Sequence, residues 1–480
     1  MDTKLRIALV CGIHPNMPGD DEGLYKRIIS EMDSMQEKLG YELLVVAEPL
    51  RSENAAERAV SYINANAVDL VMLFNASLPY GRIILPFGKV KAAIGIWSVP
   101  EPTENGVLQL NSFCGLNMLG SILKNYFPDD DIKYKWFYGM PDTEMFMERF
   151  LITLRALRAL KGLKTARIGQ IGDLADGFEN LYIDERELRN TFGTHLQTRH
   201  TVEEMVARAE KVGTGQIQKQ MDGILGEGTW NKSRVSHREF EKFVRLSIAF
   251  EEFAAEYQYD ALAVSCWSRF QEVYDVAVCG AMSRLNENGI VAPCEADVTS
   301  AVAMLLLNGL NEGKSSLNDM VSLDEKDDSL CLWHCGVAAG CWADKNGVTW
   351  DSHFNIGHYE DKKWIGRGVV ADMNFQPGPV TVFAMQNNFN ELFILTGDIM
   401  ENKRAFSGSG GWMNNLRLND QSVSMKELIN TISVSRVNHH YSAARGNLVN
   451  ELNELAFWKD LNVIDSVPYK PYMQKFSNWK

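Results

Sequence analysis

The first 165 residues alternate between short apolar runs and longer stretches in which apolar positions recur with the period of a helix. The apolar runs cover residues 5–12, 41–50, 69–77 and 90–101. Runs that are apolar at nearly every position are typical of parallel strands covered by helices on both faces. The pattern therefore predicts a doubly wound, flavodoxin-like α/β domain over residues 1–165.

Residues 166–310 repeat this alternation of strand and helix. Buried strands are predicted over 167–172 (RIGQIG), 261–267 (ALAVSCW) and 288–293 (NGIVAP), with helical patterns between them. Because parallel strands need such crossover helices, we expect a second doubly wound parallel-sheet domain over this range.

The pattern changes after residue 310. Apolar and polar residues now alternate in short runs, which turn sequences such as DKNG and QPGP separate. Alternation with a period of two, interrupted by turns, is typical of antiparallel strands with one buried face. The sequence therefore predicts a β-rich C-terminal domain over 311–480, built as an antiparallel barrel.

Composition narrows the classes of function. The 480 residues are 45% hydrophobic and 23% charged, and 48 basic against 62 acidic residues give a net charge of −14. An acidic chain lacks the basic face that a binder of nucleic-acid backbones needs. No apolar run approaches the roughly 18–20 residues that cross a bilayer, and the N-terminus lacks a signal-peptide pattern. We predict a soluble, cytoplasmic protein with no nucleic-acid or membrane partner.

Two further patterns bear on cofactors. The glycine fingerprint of dinucleotide-binding domains is missing after the first predicted strand, where CGIHPNMPGD stands, so no organic cofactor is expected. Among the eight cysteines, the segment CLWHC (residues 331–335) suggests a metal site, but Cys341 provides no second ligand pair at the usual spacing. We therefore expect buried free thiols.

The segment CEADVTSAVAMLLL, residues 294–307, places acidic residues before an apolar helix. Glu295 follows the predicted strand 288–293, and ligands of open α/β sheets bind beyond the carboxyl ends of strands. Asp297 or Thr299 is well placed as the N-cap of a helix over 298–310. The chain is long enough for Asp319 to return and face Glu295.

Two carboxylates and an imidazole would make a site for a divalent ion such as Mn²⁺ or Mg²⁺. The candidate imidazole belongs to His439 or His440. From the residues alone, a helix cap and a solvated loop carboxylate are the competing interpretations.

These residues also carry a resemblance to a known family. The segment CEADVTSAVAMLLL resembles the metal-site segment of the L-fucose isomerase and L-arabinose isomerase superfamily. In the L-fucose isomerases a second acidic ligand follows the glutamate after 24 positions, the interval from Glu295 to Asp319, and a late histidine lies in a motif like VNHHY (residues 437–441). The similarity extends loosely over nearly the whole chain.

The resemblance implies an aldose–ketose isomerase that acts on an open-chain sugar through a cis-enediol. Glu295 and Asp319 would be metal ligands and acid/base groups, and the third ligand would be His440 rather than His439. It implies Mn²⁺, with Mg²⁺ or Co²⁺ as alternatives, and a homo-oligomer, with a hexamer favoured, whose active sites lie between subunits. L-Fucose, L-arabinose and the sulfonated sugar sulfoquinovose are candidate substrates. The competing hypothesis is a catalytically silent sugar-binding or sensor protein on the same scaffold.

Other side chains are candidates for contacting the substrate. Some follow the strand 261–267, where Trp267 would stack on a sugar and Arg269 would hold an anionic group, although core packing and a surface salt bridge are the simpler interpretations. The full set of predicted substrate-binding residues is Trp267, Arg269, Gln271, His334, Trp97 and His14.

Overall fold

The structure, a computed structural model, describes residues 4–16, 23–128 and 132–475. The chain divides into two compact units, and the division falls after Arg158, within the helix Glu144–Thr165. Each unit has its own hydrophobic core, so each is described by itself.

The first unit is a five-stranded parallel sheet with helices on both faces. Its neighbouring strands run in the order β2-β1-β3-β4-β5, and a separate apolar cluster covers each face. This confirms the predicted doubly wound α/β fold. The elements are β1 (Leu5–Gly12), α1 (Leu24–Leu39), β2 (Tyr41–Val45), α2 (Glu53–Ala65), β3 (Leu70–Asn75), β4 (Ala93–Ser98), α3 (Ser112–Tyr126), β5 (Lys135–Tyr138) and α4 (Glu144–Thr165).

The second unit begins with a small parallel sheet of strand order β7-β6-β9. The prediction of a regular strand over 288–293 is wrong. This segment makes a single β-bridge, from Val291 to β9, because Pro293 has no N–H to continue the ladder. The elements are β6 (Ile168–Ile171), α5 (Glu185–Phe192), β7 (Leu196–His200), α6 (Val202–Lys211), α7 (Thr214–Glu227), β8 (Gly228–Trp230), α8 (His237–Tyr257), β9 (Ala261–Val264), α9 (Arg269–Tyr274), α10 (Cys279–Glu287) and α11 (Val298–Asn311).

The rest of the second unit is built around a closed barrel, which confirms the predicted β-rich C-terminal region. The elements are β10 (Ser316–Asp324), β11 (Ser329–His334), β12 (Val348–Ser352), β13 (Gly357–Glu360), β14 (Lys363–Gly366), β15 (Val369–Asn374), β16 (Gly378–Met385), β17 (Glu391–Ile399), β18 (Ser409–Leu418), β19 (Gln421–Ser422), α12 (Met425–Ser435), β20 (His440–Arg445), α13 (Val449–Lys459) and β21 (Asn462–Val463).

Six of these strands form the barrel, in the antiparallel order β17-β16-β20-β10-β11-β18, and pairing of β17 with β18 closes the ring. The sheet continues outside the ring from β18 through β15 and β12 to β8. The small parallel sheet and the barrel share one core. Residues 166–310 and the described part of 311–480 lie in one compact unit. The domain boundary predicted at residue 310 therefore stays a prediction.

Helix α11 connects the parallel sheet to the barrel. Its sequence VTSAVAMLLLNGLN is apolar on nearly all sides, and such a helix is stable only when it is buried all round. It packs against β9 on one side and against β16 and β20 of the barrel on the other. The helix therefore connects Glu295, which precedes it in the sequence, to Asp319 in β10, the first strand of the barrel.

Candidate metal centre

Two of the predicted ligands lie opposite each other on neighbouring barrel strands. Asp319 in β10 is paired in register with His440 in β20, and its Oδ1 lies 3.9 Å from the Nε2 of His440. His334 ends the next strand, β11, with its ring centroid 5.5 Å from that of His440. Antiparallel pairing of β10 with both β20 and β11 therefore brings these three side chains together.

Glu295 reaches the same point from the end of the parallel sheet. Its backbone and that of Ala296 have φ angles of +60° and +57°, in the left-handed region that non-glycine residues rarely adopt. The N–H of Ala296 donates to the carbonyl of Val264 at 3.0 Å, which anchors this turn to β9. The Glu295 carboxylate thereby comes within 3.4 Å (Oε2) of the Nε2 of His440. Strained backbone that is held in place is common at functional sites.

Asp297 holds the ring of His440. It is the N-cap of α11, where Oδ1 accepts from the N–H of Ser300 at 2.9 Å, while Oδ2 lies 2.8 Å from the Nδ1 of His440. Burial opposes charge on both groups, but their hydrogen bond and mutual attraction raise the pKa of His440 and lower the pKa of Asp297. A carboxylate behind an imidazole is the usual arrangement for orienting a metal-binding histidine.

Five buried polar atoms meet at this point, and none has a hydrogen-bond partner among the residues that the structure describes. They are Glu295 Oε2, Asp319 Oδ1, His334 Nε2, His439 Nε2 and His440 Nε2. Burying a polar atom without a partner costs about 1–3 kcal/mol, so a cluster of five indicates a ligand that satisfies them.

The donor set suits a divalent ion. Two atoms that are bound to the same ion, each about 2.0–2.2 Å from it, lie about 3.0–3.6 Å from each other at common coordination angles. The separation of 3.4 Å between Glu295 and His440 lies in this range, and the 3.9 Å between Asp319 and His440 exceeds it slightly. Glu295, His439 and His440 form one compact group of potential ligand atoms, and Asp319, His334 and His440 form another.

Hydrogen bonding at the Nδ1 atoms distinguishes the three histidines. His440 donates from Nδ1 to the Asp297 carboxylate, which leaves a lone pair on Nε2. The Nδ1 of His334 accepts from the N–H of Cys335 at 2.9 Å, and the Nδ1 of His439 lies 2.7 Å from the amide nitrogen of Asn180. Neutral rings that accept at Nδ1 carry their hydrogen on Nε2. His440 is therefore suited to bind a metal, and the other two are suited to donate hydrogen bonds.

Trp267 and Arg269 lie in a pocket of about 460 Å³ at the carboxyl edge of the small parallel sheet. The guanidinium of Arg269 contacts Glu203 at 2.5 Å and Glu272 at 2.9 Å. Asp173 also lines the pocket. Two carboxylates therefore neutralise the arginine that was predicted to hold an anionic group.

The remaining candidates lie elsewhere. The amide of Gln271 donates to the carbonyls of Cys266 and Val276, so it braces the loop on both sides of α9. In the first unit, Trp97 is fully buried and its Nε1 donates to the carbonyl of Gly139. His14 in that unit accepts at Nδ1 from the N–H of Asn16 and packs edge-on against Tyr80. The environment of Trp97 favours a packing role.

Sequence reasoning missed two residues of the centre. Asp297 was assigned only as a helix cap, although its position two residues after Glu295 could have suggested a second role. Asn180, which follows β6 and contacts His439, carried no sequence signal because 259 residues separate the two.

The chain is similar to known sugar isomerases. It is 27% identical over 355 residues to the sulfoquinovose isomerase of Priestia megaterium, a match that covers 72% of this chain and 75% of that protein. The sulfoquinovose isomerase of Alkalicoccus urumqiensis is 26% identical over 77% of this chain and 80% of its own, and that of Clostridium sp. is 27% identical over 65% and 68%.

The other comparisons add little. No protein-family model matches the chain. A solute-binding protein from Agrobacterium vitis bound with alpha-D-tagatopyranose matches at 9% identity over 64% of this chain and 90% of that one, but its TM-score of 0.19 supports no conclusion. Within the described ranges, no helix has the length and apolarity needed to cross a membrane. These similarities identify this protein as a sugar isomerase, the activity that the resemblance to the L-fucose and L-arabinose isomerases implies.

Proposed function

We propose that the protein is a divalent-metal-dependent isomerase that converts a sulfonated aldohexose of the sulfoquinovose type into its ketose through a cis-enediol. The observation that carries this proposal is the convergence of Glu295, Asp319 and His440 with two further histidines, all with unsatisfied buried atoms. The substrate class comes from the names of the curated relatives, and L-fucose and L-arabinose are the alternatives.

Glu295, Asp319 and His440 would hold the ion. Two carboxylates and one imidazole suit Mn²⁺, with Mg²⁺ and Co²⁺ as alternatives. A divalent ion bound there would polarise the adjacent oxygens of the open-chain sugar and would stabilise the negative charge that develops on them. No step of this proposal requires an organic cofactor.

The protein's own side chains would move the protons. One of the two carboxylates removes the proton from C2 and returns it to C1. The second moves the hydroxyl proton from the oxygen on C2 to the oxygen on C1. Positioned acid–base groups of this kind contribute about 10²–10⁴-fold in rate. His334 and His439 would donate from Nε2 to substrate oxygens, because their Nδ1 atoms accept hydrogen bonds.

The sensor hypothesis has less support. A protein that only binds a sugar gains nothing from an Asp297 carboxylate that orients an imidazole towards two other carboxylates. The curated relatives are named as enzymes. The predicted substrate contact of Trp267 and the predicted homo-oligomer with shared active sites remain proposals, whereas the ion pairs of Arg269 with Glu203 and Glu272 argue against its proposed contact with an anionic group.

The test is an aldose panel that includes sulfoquinovose, glucose, L-fucose and L-arabinose, assayed for ketose with added Mn²⁺ and after exhaustive chelation. We expect turnover of the sulfonated sugar that chelation abolishes and Mn²⁺ restores. Glu295→Gln and Asp319→Asn should each lower kcat at least 10²-fold, whereas Glu325→Gln, in the exposed turn after β10, should leave it unchanged.

Sugar deuterated at C2 separates the roles of the two carboxylates. The variant that lacks the proton-transferring carboxylate should lose both the transfer of deuterium from C2 to C1 and any release of deuterium to solvent, together with ketose formation. Turnover that survives chelation would refute the metal dependence, and full activity of both variants would refute the site.

A further inference from the structure

Asn180 connects the small parallel sheet to His439. It lies in the 3₁₀ turn Glu179–Leu181, between β6 and α5, and its Nδ2 lies 2.7 Å from the Nδ1 of His439. Phe178 immediately precedes this turn, and its ring centroid lies 5.8 Å from that of the imidazole. The segment that carries Asn180 therefore contacts His439 at two points.

The contact between Asn180 and the imidazole needs support from elsewhere. Asn180 is exposed, so water competes for this hydrogen bond. An exposed hydrogen bond of modest net strength does not offset the entropy lost when a mobile segment is ordered. The turn itself is only three residues long, and the hydrogen bonds of 3₁₀ turns have poor geometry. Another residue therefore has to hold the backbone of this turn in place.

Asn387, in the loop between β16 and β17, holds that backbone. Its Nδ2 donates to the carbonyl of Asn180 and, at 3.0 Å, to the carbonyl of Tyr182. Its Oδ1 accepts from the Nδ2 of Asn438 at 2.5 Å and from the Oγ1 of Thr299 at 3.4 Å. The amide thereby uses both of its hydrogens and both lone pairs of its oxygen, which neither a carboxylate nor an apolar side chain can reproduce.

The same helix turn supports both histidines of the late pair. Thr299 is buried in the first turn of α11, two residues after Asp297. Asp297 orients His440 directly, through the contact of 2.8 Å between Oδ2 and Nδ1. Thr299 contacts Asn387, which holds the segment that lies against His439. The start of α11 is therefore connected to one imidazole by a single contact and to the other by a chain of hydrogen bonds.

We propose that Asn387 is a positioning residue, which acts through Asn180 to keep His439 in the tautomer that carries its hydrogen on Nε2. The inference rests on the proposed function, in which this Nε2 donates to a substrate oxygen. A neutral ring whose Nδ1 accepts from Asn180 has its hydrogen on Nε2. Without Asn387 the turn would leave the ring, and water, which both donates and accepts, would stabilise either tautomer. Part of the molecules would then present a lone pair to the substrate.

The first test reads the tautomer itself, from histidine ¹⁵N chemical shifts of the metal-free protein. The signal of His439 is the one that His439→Gln lacks. Asn387→Asp keeps the size of the side chain but turns lone pairs towards the carbonyls of Asn180 and Tyr182, and Asn180→Leu removes the donor to the ring. Both variants should lose the signal of an Nε2-protonated ring. The matched control Asn419→Asp, whose amide also donates to a backbone carbonyl at 2.8 Å, should retain it.

Kinetics separate positioning from a merely structural role. Asn387→Asp should lower kcat at least ten-fold with little change in KM or Mn²⁺ affinity, because outer contacts of this kind contribute about 10–100-fold. The double variant Asn387→Asp/Asn180→Leu should be no slower than the slower single variant, since both act on one contact.

Two results would overturn the proposal: additive losses in the double variant, or an unchanged His439 signal in Asn387→Asp. Asn387→Ala, which removes the donors without adding charge, gives the same test if Asn387→Asp fails to fold. Failure of the proposed function would look different. Turnover would then survive chelation, while the ¹⁵N signals would still report whether Asn387 fixes the tautomer of His439.

Discussion

The Nδ1 of His440 lies 2.8 Å from the Oδ2 of Asp297, and both side chains are buried. Asp297 thus performs two tasks: it caps α11 through Ser300 and fixes the orientation of the imidazole. The same residue couples the start of a buried helix to the start of barrel strand β20, 143 positions away.

Asp297→Asn should weaken metal binding about 10–100-fold, because carboxylates behind ligand histidines have effects of this size. Asparagine is an equally good helix cap, so stability should change by less than about 0.5 kcal/mol through capping. The measurement is a competition titration of Mn²⁺ against a chelator. Asp184→Asn, at the N-cap of α5, is the matched control and should leave metal affinity unchanged. Equal affinities of wild type and Asp297→Asn would contradict the orienting role.

His440→Gln and His439→Gln should differ in what they lose. Only His440 presents a lone pair on Nε2, so its replacement should abolish tight metal binding. Replacement of His439 should leave metal content intact and lower kcat by about 10²-fold, as expected when a hydrogen-bond donor to the reacting oxygens is removed. Metal analysis and steady-state kinetics of the two variants provide the comparison. If His439→Gln lost its metal and His440→Gln kept it, the assignment of His440 as the metal ligand would be reversed.

Metal removal should destabilise one unit only. A ligand present at about 100 times its Kd stabilises the state that binds it by about 2.7 kcal/mol. The centre lies wholly within the second unit, and each unit has its own core. Chelation should therefore lower the midpoint of one calorimetric transition by a few degrees. The variant Glu295→Gln/Asp319→Asn should show no such shift, and a shift of equal size in that variant would place the bound ion elsewhere.

The barrel strand that carries Asp319 allows a matched test of packing. Leu317→Ala, at a fully buried position of β10, should destabilise the protein by about 2–5 kcal/mol through lost burial and a residual cavity. Leu323→Ala in the same strand, where the side chain is 37% exposed, should cost much less. Urea unfolding followed by circular dichroism measures both. Similar costs would contradict the burial of Leu317.

Arg269→Ala tests the predicted contact with an anionic substituent. Glu203 and Glu272 already neutralise this guanidinium, so the ratio of KM values for sulfoquinovose and glucose should change less than about three-fold. A rise in KM confined to the sulfonated sugar would show that the arginine leaves its carboxylate partners to bind substrate.

The sequence was sufficient to predict the architecture because its signals were local. The fully apolar runs that became β1 and β3, and the alternating runs that became β16 and β17, each carry a periodicity that one segment displays on its own. The strand predicted at 288–293 failed because Pro293 limits its pairing, although the backbone still runs beside β9.

The candidate centre was only partly predictable for a related reason. The interval from Glu295 to Asp319 and the late histidine pair carried the resemblance to the L-fucose and L-arabinose isomerases, but the choice between His439 and His440 depends on what their Nδ1 atoms contact. Those partners, Asn180 and Asp297, lie 259 and 143 residues away.

The closed ring of six strands has a consequence for how this enzyme type diversifies. A strand in an open sheet can slip by one residue at its edge, and such a slip turns every side chain to the opposite face. In a ring with no edge, displacing β10 against β20 would require every neighbouring pair to shift as well. Connecting loops can therefore lengthen or change sequence while Asp319 and His440 stay aligned.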